Sequence, residues 1–512
     1  MPLGRTHAVA LLGLQGAIVE IEADISTGLP KFIVIGLPDA AIKQAEHRVH
    51  AAATNSGCSL PTKKYTVNLS PASLPKFGSG FDLGIAVACL AAAGTIRSES
   101  IERVVHLGEL GLDGRMRPIV GILPAVLALA RAGHTTVMVP TGNADEASLV
   151  PGVTVVGVAS LRDAAIWHGA ELEPEPVDAI YLASVHADAR AESTDLSDVI
   201  GNEDAVQAML AAAAGGHHVF LLGPPGAGKT MLAARLPGLL PDLSAEDAIE
   251  VGSIRSLAGL PVSGTLDARP PFENPHHTAS AVALIGGGSG VIRPGAAARS
   301  SHGVLFLDEA PEFNVNALDA LRQPLESGVI SIHRANAVAH FPGSFQLVMA
   351  ANPCPCGQWG ARDSTCTCAP FARRRYLARI SGPLLDRIDI QLRVHRITST
   401  QLRLTDETER LTTAVARARV EDARAAARAR LDGTPWTLNS QVPGAWLRGP
   451  AARLPVSATA SIDRALERGA ITMRGYDRVL RVAWTLADLG SDPTPGPDHI
   501  GRALYLRKAM TT

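Results

Sequence analysis

A short glycine-rich stretch, LLGPPGAGKTML, has the residue types and spacing needed to bind a chain of phosphates. It matches the pattern G-x-x-x-x-G-K-[ST] between an apolar run that predicts a strand and a segment that predicts a helix. Backbone N–H groups of such a loop close around phosphate oxygens, and the helix N-terminus adds partial positive charge. We expect Lys229 to reach the outer phosphates and the Thr230 hydroxyl to bind Mg²⁺. The predicted ATP-binding loop consists of Gly223, Pro224, Pro225, Gly226, Ala227, Gly228, Lys229 and Thr230.

Two carboxylates follow a second apolar run, GVLFLDEA, at residues 303–310. The run predicts a buried strand that delivers Asp308 and Glu309 to the mouth of an α/β sheet. Asp308 would hold Mg²⁺ through water, and Glu309 would orient the attacking water, because phosphoryl transfer depends mainly on positioning. Taken alone, the Asp-Glu pair could equally be the N-cap of a helix. Because it lies downstream of a phosphate-binding loop, a role in ATP hydrolysis is favoured.

Three further side chains could complete such a site. Asn352 ends the apolar run FQLVMAANP and could hydrogen-bond the γ-phosphate or the attacking water. Arg387, in ISGPLLDRIDI, could stabilise transition-state charge on the nucleotide of a neighbouring subunit. Arg474 begins the helical stretch TMRGYDRVLRVAWTLADL and could reach the phosphates from a helical lid. The plainer alternatives are a strand-end turn for the asparagine and solvated surface arginines for the other two.

The elements that must position these residues divide the chain into regions. Residues 199–398 alternate short apolar strands with helical stretches, which is typical of a doubly wound α/β domain. Residues 399–512 are helical in pattern, and the last helical stretch is predicted to begin near Met473. The acidic, proline-containing segment 171–198 predicts a linker, which leaves residues 1–170 as an N-terminal domain.

Composition sets broad limits on function. A chain of 512 residues is too long for one core. Its net charge of −2 means that any nucleic-acid surface must be local. No apolar run has the length of a membrane span, and the acidic residues Glu20, Glu22 and Asp24 predict a first strand at the N-terminus rather than a signal peptide. We therefore expect a cytoplasmic protein without a membrane partner.

In this order, the motifs resemble those of the AAA+ ATPases, specifically the magnesium-chelatase-like branch and its YifB/ComM family. The segments PHHTASAVALIGGGSGVIRPG, HGVLFLDEAPEF and ANPCPCG are similar to motifs of that family. The resemblance covers nearly the whole chain and implies a homo-oligomeric ring, a hexamer, with ATP and Mg²⁺ at subunit interfaces. One departure is visible: the family usually has an acidic residue where this chain has Ala296.

The same resemblance implies roles for individual residues. Asn352 corresponds to sensor 1, Arg387 to the arginine finger that acts on the neighbouring subunit, and Arg474 to sensor 2. Arg478 is the nearest rival for the last role. The implied fold is α/β: an AAA+ P-loop core with a helical lid, preceded by an α+β Lon-protease-like domain of the S5 domain 2 type.

Four cysteines crowd into the insertion CPCGQWGARDSTCTC at residues 354–368. Cys354, Cys356, Cys366 and Cys368 form two C-x-C pairs, and four thiolates could hold Zn²⁺ tetrahedrally. The usual structural spacing is C-x₂-C, so a reduced cysteine-rich loop or one disulfide-capable pair remains an alternative.

Residues 1–170 look like the proteolytic domain of Lon in outline. A serine nucleophile would need Ser at a helix start and an amine to deprotonate it. Asp82 occupies the matching serine position, Leu123 and Ala125 stand where lysine is needed, and Ser79 nearby has no lysine within motif reach. The sequence predicts the scaffold without peptidase chemistry.

Three functions are considered for an ATP-driven motor of this kind. A DNA-acting helicase or branch-migration translocase is favoured by the family resemblance and by two local features. One is the cluster RRRY at residues 373–376; the other is the β-prone segment 328–341, with His333 and Arg334 at its tip. The alternative is a chelatase-type motor that remodels a protein partner for metal insertion, which the Lon-like domain and the cysteines argue against. An ATP-dependent protease is disfavoured by Asp82, Leu123 and Ala125.

Overall fold

The computed structural model describes residues 3–181, 195–262, 264–288, 292–334, 337–359, 366–397 and 410–507. Part of the predicted linker, the centre of the cysteine-rich insertion and the predicted start of the lid lie outside the described residues.

The strands are β1 (Gly4–Leu12), β2 (Gln15–Ser26), β3 (Lys31–Ile35), β4 (Lys64–Ser70), β5 (Val105–His106), β6 (Glu109–Leu110), β7 (Met116–Arg117), β8 (Thr136–Pro140), β9 (Thr154–Val158), β10 (Val219–Leu222), β11 (Phe272–Glu273), β12 (Gly286–Gly287), β13 (Arg293–Pro294), β14 (Val304–Leu307), β15 (Val329–Arg334), β16 (Ala337–Pro342), β17 (Gln346–Ala351) and β18 (Ile390–Arg393). The α-helices are Ala40–Lys43, Ala45–Asn55, Asp82–Ala92, Ser98–Ile101, Ile122–Arg131, Ala144–Ala147, Leu161–Trp167, Glu203–Gly215, Lys229–Leu239, Ala245–Ala258, Ala281–Ile285, Ala296–Arg299, Val315–Asp319, Pro324–Ser327, Pro370–Leu377, Gly382–Leu385, Thr413–Arg430, Gly444–Leu447, Val456–Glu467, Met473–Gly490 and Pro497–Tyr505.

The N-terminal region is built on a mixed seven-stranded sheet in the order β3-β4-β2-β1-β5-β8-β9. Strand β4 shows why these segments form strands: Tyr65, Val67 and Leu69 are buried and alternate with partly exposed neighbours, which is the two-residue period of a sheet with one buried face. Helix Asp82–Ala92 is buried along its whole length and packs on β1 and β2.

The second sheet is parallel, in the order β11-β14-β17-β10-β18. Strands β10, β14 and β17 are buried at every position, as expected for parallel strands covered by helices on both faces. Their carboxyl ends lead into the phosphate loop, the Asp308–Glu309 pair and Asn352, so the fold brings the three predicted motifs to one edge. The predicted α/β core is confirmed.

The C-terminal region is helical, as predicted. Helices Thr413–Arg430 and Met473–Gly490 pack on each other and on helix Glu203–Gly215, and the three share one apolar core with the parallel sheet. The stretch predicted to be the last one ends at Gly490, and a further helix follows over Pro497–Tyr505. The sequence pattern missed this break, where Ser491 adopts a left-handed conformation with φ of 59°.

Two contacts between the N-terminal region and the ATPase core are found among the described residues. Helix Ile122–Arg131 packs on helix Ala245–Ala258, where the Leu123 N–H lies 3.4 Å from Ser256 Oγ. The turn between β1 and β2 lies against β16: a Cβ built on Gly13 would come 2.9 Å from the His340 carbonyl oxygen. Around this turn, Leu11, Leu12 and Leu14 pack against the apolar core beneath the hairpin β15–β16. Within the described part of the chain, no helix is both long and apolar enough to cross a bilayer.

Candidate ATP-hydrolysis site

The phosphate loop connects β10 to helix Lys229–Leu239. Gly226 and Gly228 have φ values of 74° and 87°, a backbone conformation that favours glycine. At Gly223 a Cβ would lie 2.3 Å from the Val394 carbonyl oxygen, so no side chain fits between the loop and the end of β18. The spacing of the glycines therefore has a direct steric cause.

Lys229 lies at the centre of the site. Its Nζ donates to the carbonyl oxygens of Gly223 at 2.6 Å and Pro224 at 3.1 Å, and to Asn352 Oδ1 at 3.2 Å. Burial lowers the pKa of Lys229, while Asp308 and Glu309 favour its charged form. The structure thus brings the predicted sensor asparagine and the loop lysine into contact.

A hydroxyl and a carboxylate suitable for Mg²⁺ lie side by side. Thr230 Oγ1 donates to Asp308 Oδ2 at 2.7 Å, and Asp308 Oδ1 accepts from the Glu309 N–H at 2.9 Å. Oxygen ligands of this kind, together with phosphate oxygens and water, form the usual Mg²⁺ environment. The donor set at the predicted metal site therefore fits Mg²⁺.

Glu309 has an unusual backbone conformation for its residue type. It lies in the left-handed region with φ of 51° and ψ of 43°. Its Oε2 lies 3.3 Å from His277 Nδ1, and 49% of its side chain is exposed. A half-exposed carboxylate after a buried strand, next to the residue that would hold Mg²⁺, can face an attacking water.

A cavity of about 280 Å³ opens beside the phosphate loop. Apolar side chains of Val199, Ile200, Met231, Leu232 and Ile397 contribute to its lining, together with loop residues of the glycine-rich segment. A flat apolar base attached to the phosphates would be accommodated there.

Arg387 and Arg474 lie together, but in a different cleft. This larger cleft, of about 1000 Å³, is lined by both arginines and not by the residues of the phosphate loop. Arg387 Nη2 lies 2.5 Å from Glu326 Oε1, and its Nη1 donates to the Pro383 carbonyl at 2.7 Å. The two predicted arginines thus line one cleft, in which Arg474 is exposed while the side chain of Arg387 is 11% exposed and paired with Glu326.

Arg478 is already engaged inside the subunit. Its guanidinium pairs with the buried Asp389, which also faces His217 Nδ1 at 3.0 Å. Burial raises the pKa of Asp389, but Arg478 and His217 outweigh it and hold that pKa well below its ordinary value. Arg474 is accordingly the better placed of the two candidates for contact with a nucleotide.

The four cysteine sulfurs converge. Cys354 Sγ lies 3.3 Å from Cys356 Sγ and 3.7 Å from Cys366 Sγ, and all four sulfurs lie within 4.8 Å of one another. The backbone N–H of Gln358 and neighbouring thiols lower the pKa of Cys356 to about 7. The cluster adjoins the ATP site, because a Cβ on Gly357 would lie 2.7 Å from the ring of Pro225.

The predicted DNA contacts are only partly available. The hairpin β15–β16 forms, and His333 is exposed near its end, whereas the side chain of Arg334 lies outside the described set. In helix Pro370–Leu377, Tyr376 is buried and cannot stack on a base. Phe371, which the sequence analysis missed, is 66% exposed with Arg375 above its ring.

The Lon-like site is closed by an ion pair. Asp82 is buried and accepts from Arg48 Nε at 2.6 Å, from Arg48 Nη2 at 2.8 Å and from the Leu110 N–H at 3.3 Å. Leu123 and Ala125 are buried as well. Ser79, the nearest hydroxyl considered, is bonded to Glu109.

Sequence reasoning missed three polar partners: His277, Glu326 and Asp389. A histidine next to the glycine-rich segment was visible in PHHTAS, but nothing in its spacing linked it to Glu309. Glu326 and Asp389 gain their roles only through contacts across the fold.

Comparison with protein families gives matches to three stretches of the chain. Residues 195–402 match the model described as magnesium chelatase, subunit ChlI, and residues 21–143 match subunit ChlI of Mg-chelatase. Residues 410–507 match the ChlI C-terminal model.

Individual relatives agree with the family matches. The competence protein ComM of Haemophilus influenzae is 38% identical over 509 residues, which cover 99% of this chain and 98% of that protein. YifB of Escherichia coli is 37% identical, covering 99% of this chain and 97% of the relative. The Lon protease of Mycolicibacterium smegmatis is 27% identical over 181 residues, which are 33% of this chain and 23% of Lon. The chain therefore belongs to the magnesium-chelatase-like YifB/ComM family of AAA+ ATPases.

Proposed function

We propose that this chain forms a hexameric ring that hydrolyses ATP at its subunit interfaces and moves along DNA as a helicase or branch-migration translocase. The observation that carries the proposal is the separation of Arg387 and Arg474 from the phosphate loop of their own subunit. A site with its lysine in one cleft and its arginines in another is completed when a neighbour docks. We place this activity in the cytoplasm, in recombination or transformation.

Each residue of the site has a defined task in this proposal. Bound Mg²⁺ would neutralise charge on the phosphates, held by Thr230 and by Asp308 through water. Lys229 would exchange its carbonyl partners for phosphate oxygens, since its Nζ already lies at the loop. Glu309 orients the water, and Asn352 holds the γ-phosphate or that water in place.

The DNA part of the proposal rests on two exposed features. Hairpin β15–β16 presents His333, and helix Pro370–Leu377 presents arginines next to Phe371. An aromatic ring and guanidinium groups bind single-stranded nucleic acid through stacking and phosphate contacts. Such contacts make affinity fall steeply with salt.

Fork unwinding by the purified protein tests motor and substrate together. We expect ATP-dependent unwinding or strand exchange, ATP turnover stimulated by forked or single-stranded DNA at about 50 mM salt, and weaker stimulation at higher salt. The Glu309→Gln variant should bind DNA without unwinding it. Turnover that is unaffected by any DNA at low salt would contradict the DNA proposal.

A chelatase-type motor that remodels a protein partner for metal insertion is the second candidate. It is favoured by the matches of all three family models to a chelatase subunit. This alternative predicts that the rate of ATP turnover does not change when DNA is added. It also predicts that a partner protein is captured in the presence of ATP by the Glu309→Gln variant.

We also propose that the four cysteines hold one Zn²⁺. A Zn–S bond of about 2.3 Å places the sulfurs of a tetrahedral site about 3.8 Å apart. The separations of 3.3, 3.6 and 3.7 Å among Cys354, Cys356 and Cys366 are close to that value. The Trp359 N–H, 3.4 Å from Cys354 Sγ, would support a thiolate there.

Elemental analysis after exhaustive dialysis tests the metal. We expect about one Zn per chain, falling to less than a tenth in Cys356→Ser, with the buried Cys58→Ser as the control that keeps its metal. A folded wild-type protein with less than a tenth of a Zn per chain would end the zinc proposal.

A further inference from the structure

Asp389 is a buried carboxylate two residues after Arg387 along the chain. Its side chain is 1% exposed; Oδ1 accepts from the Arg478 guanidinium, and Oδ2 lies 3.0 Å from His217 Nδ1. Removing one partner from such a buried group leaves an uncompensated charge, so each of the three side chains restrains the other two. Asp389 also lines the second cleft, together with Arg387 and Arg474. It therefore lies beside the two arginines that the proposed function assigns to the nucleotide of a neighbouring subunit.

Two connections tie this carboxylate to the helix Met473–Gly490, whose first turn carries Arg474. The first is the ion pair with Arg478, which lies four residues after Arg474 and so on the same face of the helix. The second runs through His217, whose Nε2 lies 2.8 Å from Thr485 Oγ1 of the same helix. The carboxylate thus holds this helix at two points, three turns of the helix or less from each other.

The bridge from His217 to Thr485 depends on a glycine. A Cβ built on Gly215, the last residue of helix Glu203–Gly215, would lie 2.2 Å from His217 Nε2 and 2.3 Å from Thr485 Oγ1. Because Gly215 is helical, its backbone would accept other residues, and the need for glycine comes from the contact between imidazole and hydroxyl. Both side chains are completely buried, so water does not compete for their hydrogen bond.

The backbone that carries Asp389 is held from the C-terminal end of the described chain. Arg507 Nη1 donates to the carbonyl oxygens of Ile388 at 2.6 Å and Asp389 at 3.4 Å. The Ile388 side chain is completely buried. Arg387, the residue before Ile388, therefore projects from a backbone segment that is fixed directly after it.

We propose that Asp389 is a positioning residue that sets the distance between Arg387 and Arg474, so that both reach one nucleotide of the neighbouring subunit. The inference rests on the proposed function and deepens it, because it identifies what aligns the two arginines. Arg387 projects from the segment that carries Asp389, and Arg474 projects from the helix that its carboxylate holds. The alignment is important because a displacement of about 1 Å can lower turnover by about 100-fold.

ATPase kinetics and nucleotide titration of Asp389→Asn give the first test. We expect kcat to fall by about 10- to 100-fold, because the two arginines are no longer aligned, with nucleotide affinity within about 2-fold of wild type. Affinity is retained because Asp389 lines the second cleft and not the cavity beside the phosphate loop. An unchanged kcat overturns the inference, and so does a parallel loss of nucleotide affinity.

Mixing two defective variants separates positioning from a merely structural role. Lys229→Ala subunits lack the lysine of the phosphate loop but keep their arginines, so they can complete the site of an Asp389→Asn neighbour. In a random 1:1 mixture, about a quarter of the interfaces join an intact loop to intact arginines, so turnover should rise to about a quarter of wild type. Mixing Asp389→Asn with Arg387→Ala, which are both defective on the arginine side, is the control that should show no gain.

The outcomes separate this inference from the proposed function, which the mixture of Arg387→Ala with Lys229→Ala tests alone. If that mixture gains turnover and the Asp389→Asn mixture does not, the inference is overturned while the proposed site between subunits stands. If neither gains turnover, the arginines do not act across an interface, and the proposed function fails together with the inference. If Asp389→Asn does not fold, His217→Gln, which keeps the ion pair with Arg478, is judged by the same measurements.

Discussion

The phosphate loop and the Lon-like site both present a polar side chain at the start of a helix, yet they differ in the partners of that side chain. Lys229 and Thr230 are bonded to carbonyl groups and to Asp308, next to an open cavity. Asp82 is buried and its carboxylate is fixed by Arg48. A polar group can take part in chemistry when a ligand can replace its partners, and that condition holds only at the phosphate loop.

Replacing Glu309, the carboxylate that we propose orients the attacking water, should have the largest effect on turnover. Glu309→Gln keeps the shape of the side chain but loses its charge, so we expect ATP binding to persist while kcat falls by about 10²- to 10³-fold. Nucleotide titration and ATPase assays measure the two quantities. Glu312→Gln, on the same turn and paired at the surface with Arg379, is the matched control. Unchanged turnover in Glu309→Gln would remove Glu309 from the site.

Truncating Arg387, one of the arginines that line the second cleft, should have the next largest effect on turnover. Arg387→Ala should lower turnover by about 10²- to 10³-fold while leaving nucleotide affinity of the subunit nearly intact, because its guanidinium lies apart from its own phosphate loop. Arg379→Ala, which removes an exposed arginine nearby, is the control. Equal loss of nucleotide binding would mean that Arg387 acts within its own subunit.

Restoring a serine to the Lon-like position should break the fold rather than create a peptidase. Asp82→Ser leaves Arg48, whose side chain is only 19% exposed, without its carboxylate, so we expect a loss of about 3–5 kcal/mol in unfolding free energy. Denaturant unfolding measures this loss, and a casein assay should show no cleavage. The double variant Asp82→Leu with Arg48→Met should recover most of the stability. Proteolysis by Asp82→Ser would contradict the comparison.

The smallest expected effect is a pH-dependent change in stability at the contact between the N-terminal region and the ATPase core. Burial raises the pKa of Glu146, near Leu123 and Ser256, to about 7. The folded protein holds the proton of the Glu146 carboxyl more tightly than the unfolded chain does. The contribution of Glu146 to the free energy of unfolding is therefore most favourable below the ordinary pKa of a glutamate, and it is lost as pH rises through about 7. Glu146→Gln should therefore gain about 1–3 kcal/mol at pH 8 relative to wild type and little at pH 5. Thermal unfolding at the two pH values checks the sign, and an equal gain at both would contradict it.

The sequence predicts those parts of the site that lie in contiguous motifs. The phosphate loop, the Asp308–Glu309 pair and the cysteine pairs carry their own spacing, so their positions follow from local strands and turns. Asp389 carries no such signal, because its partners His217 and Arg478 lie 172 and 89 residues away along the chain. Likewise, the basic cluster around Tyr376 predicts an exposed aromatic side chain, whereas in the structure Tyr376 is buried.

The first turn of the chain has a mechanical consequence. Gly13 and the leucines around it are wedged under hairpin β15–β16, against the His340 carbonyl. If a DNA strand pulls on that hairpin, the force is transmitted to the seven-stranded N-terminal sheet and does not bend the hairpin alone. If the chain is the proposed motor, the N-terminal region would then act as the rigid support of the hairpin.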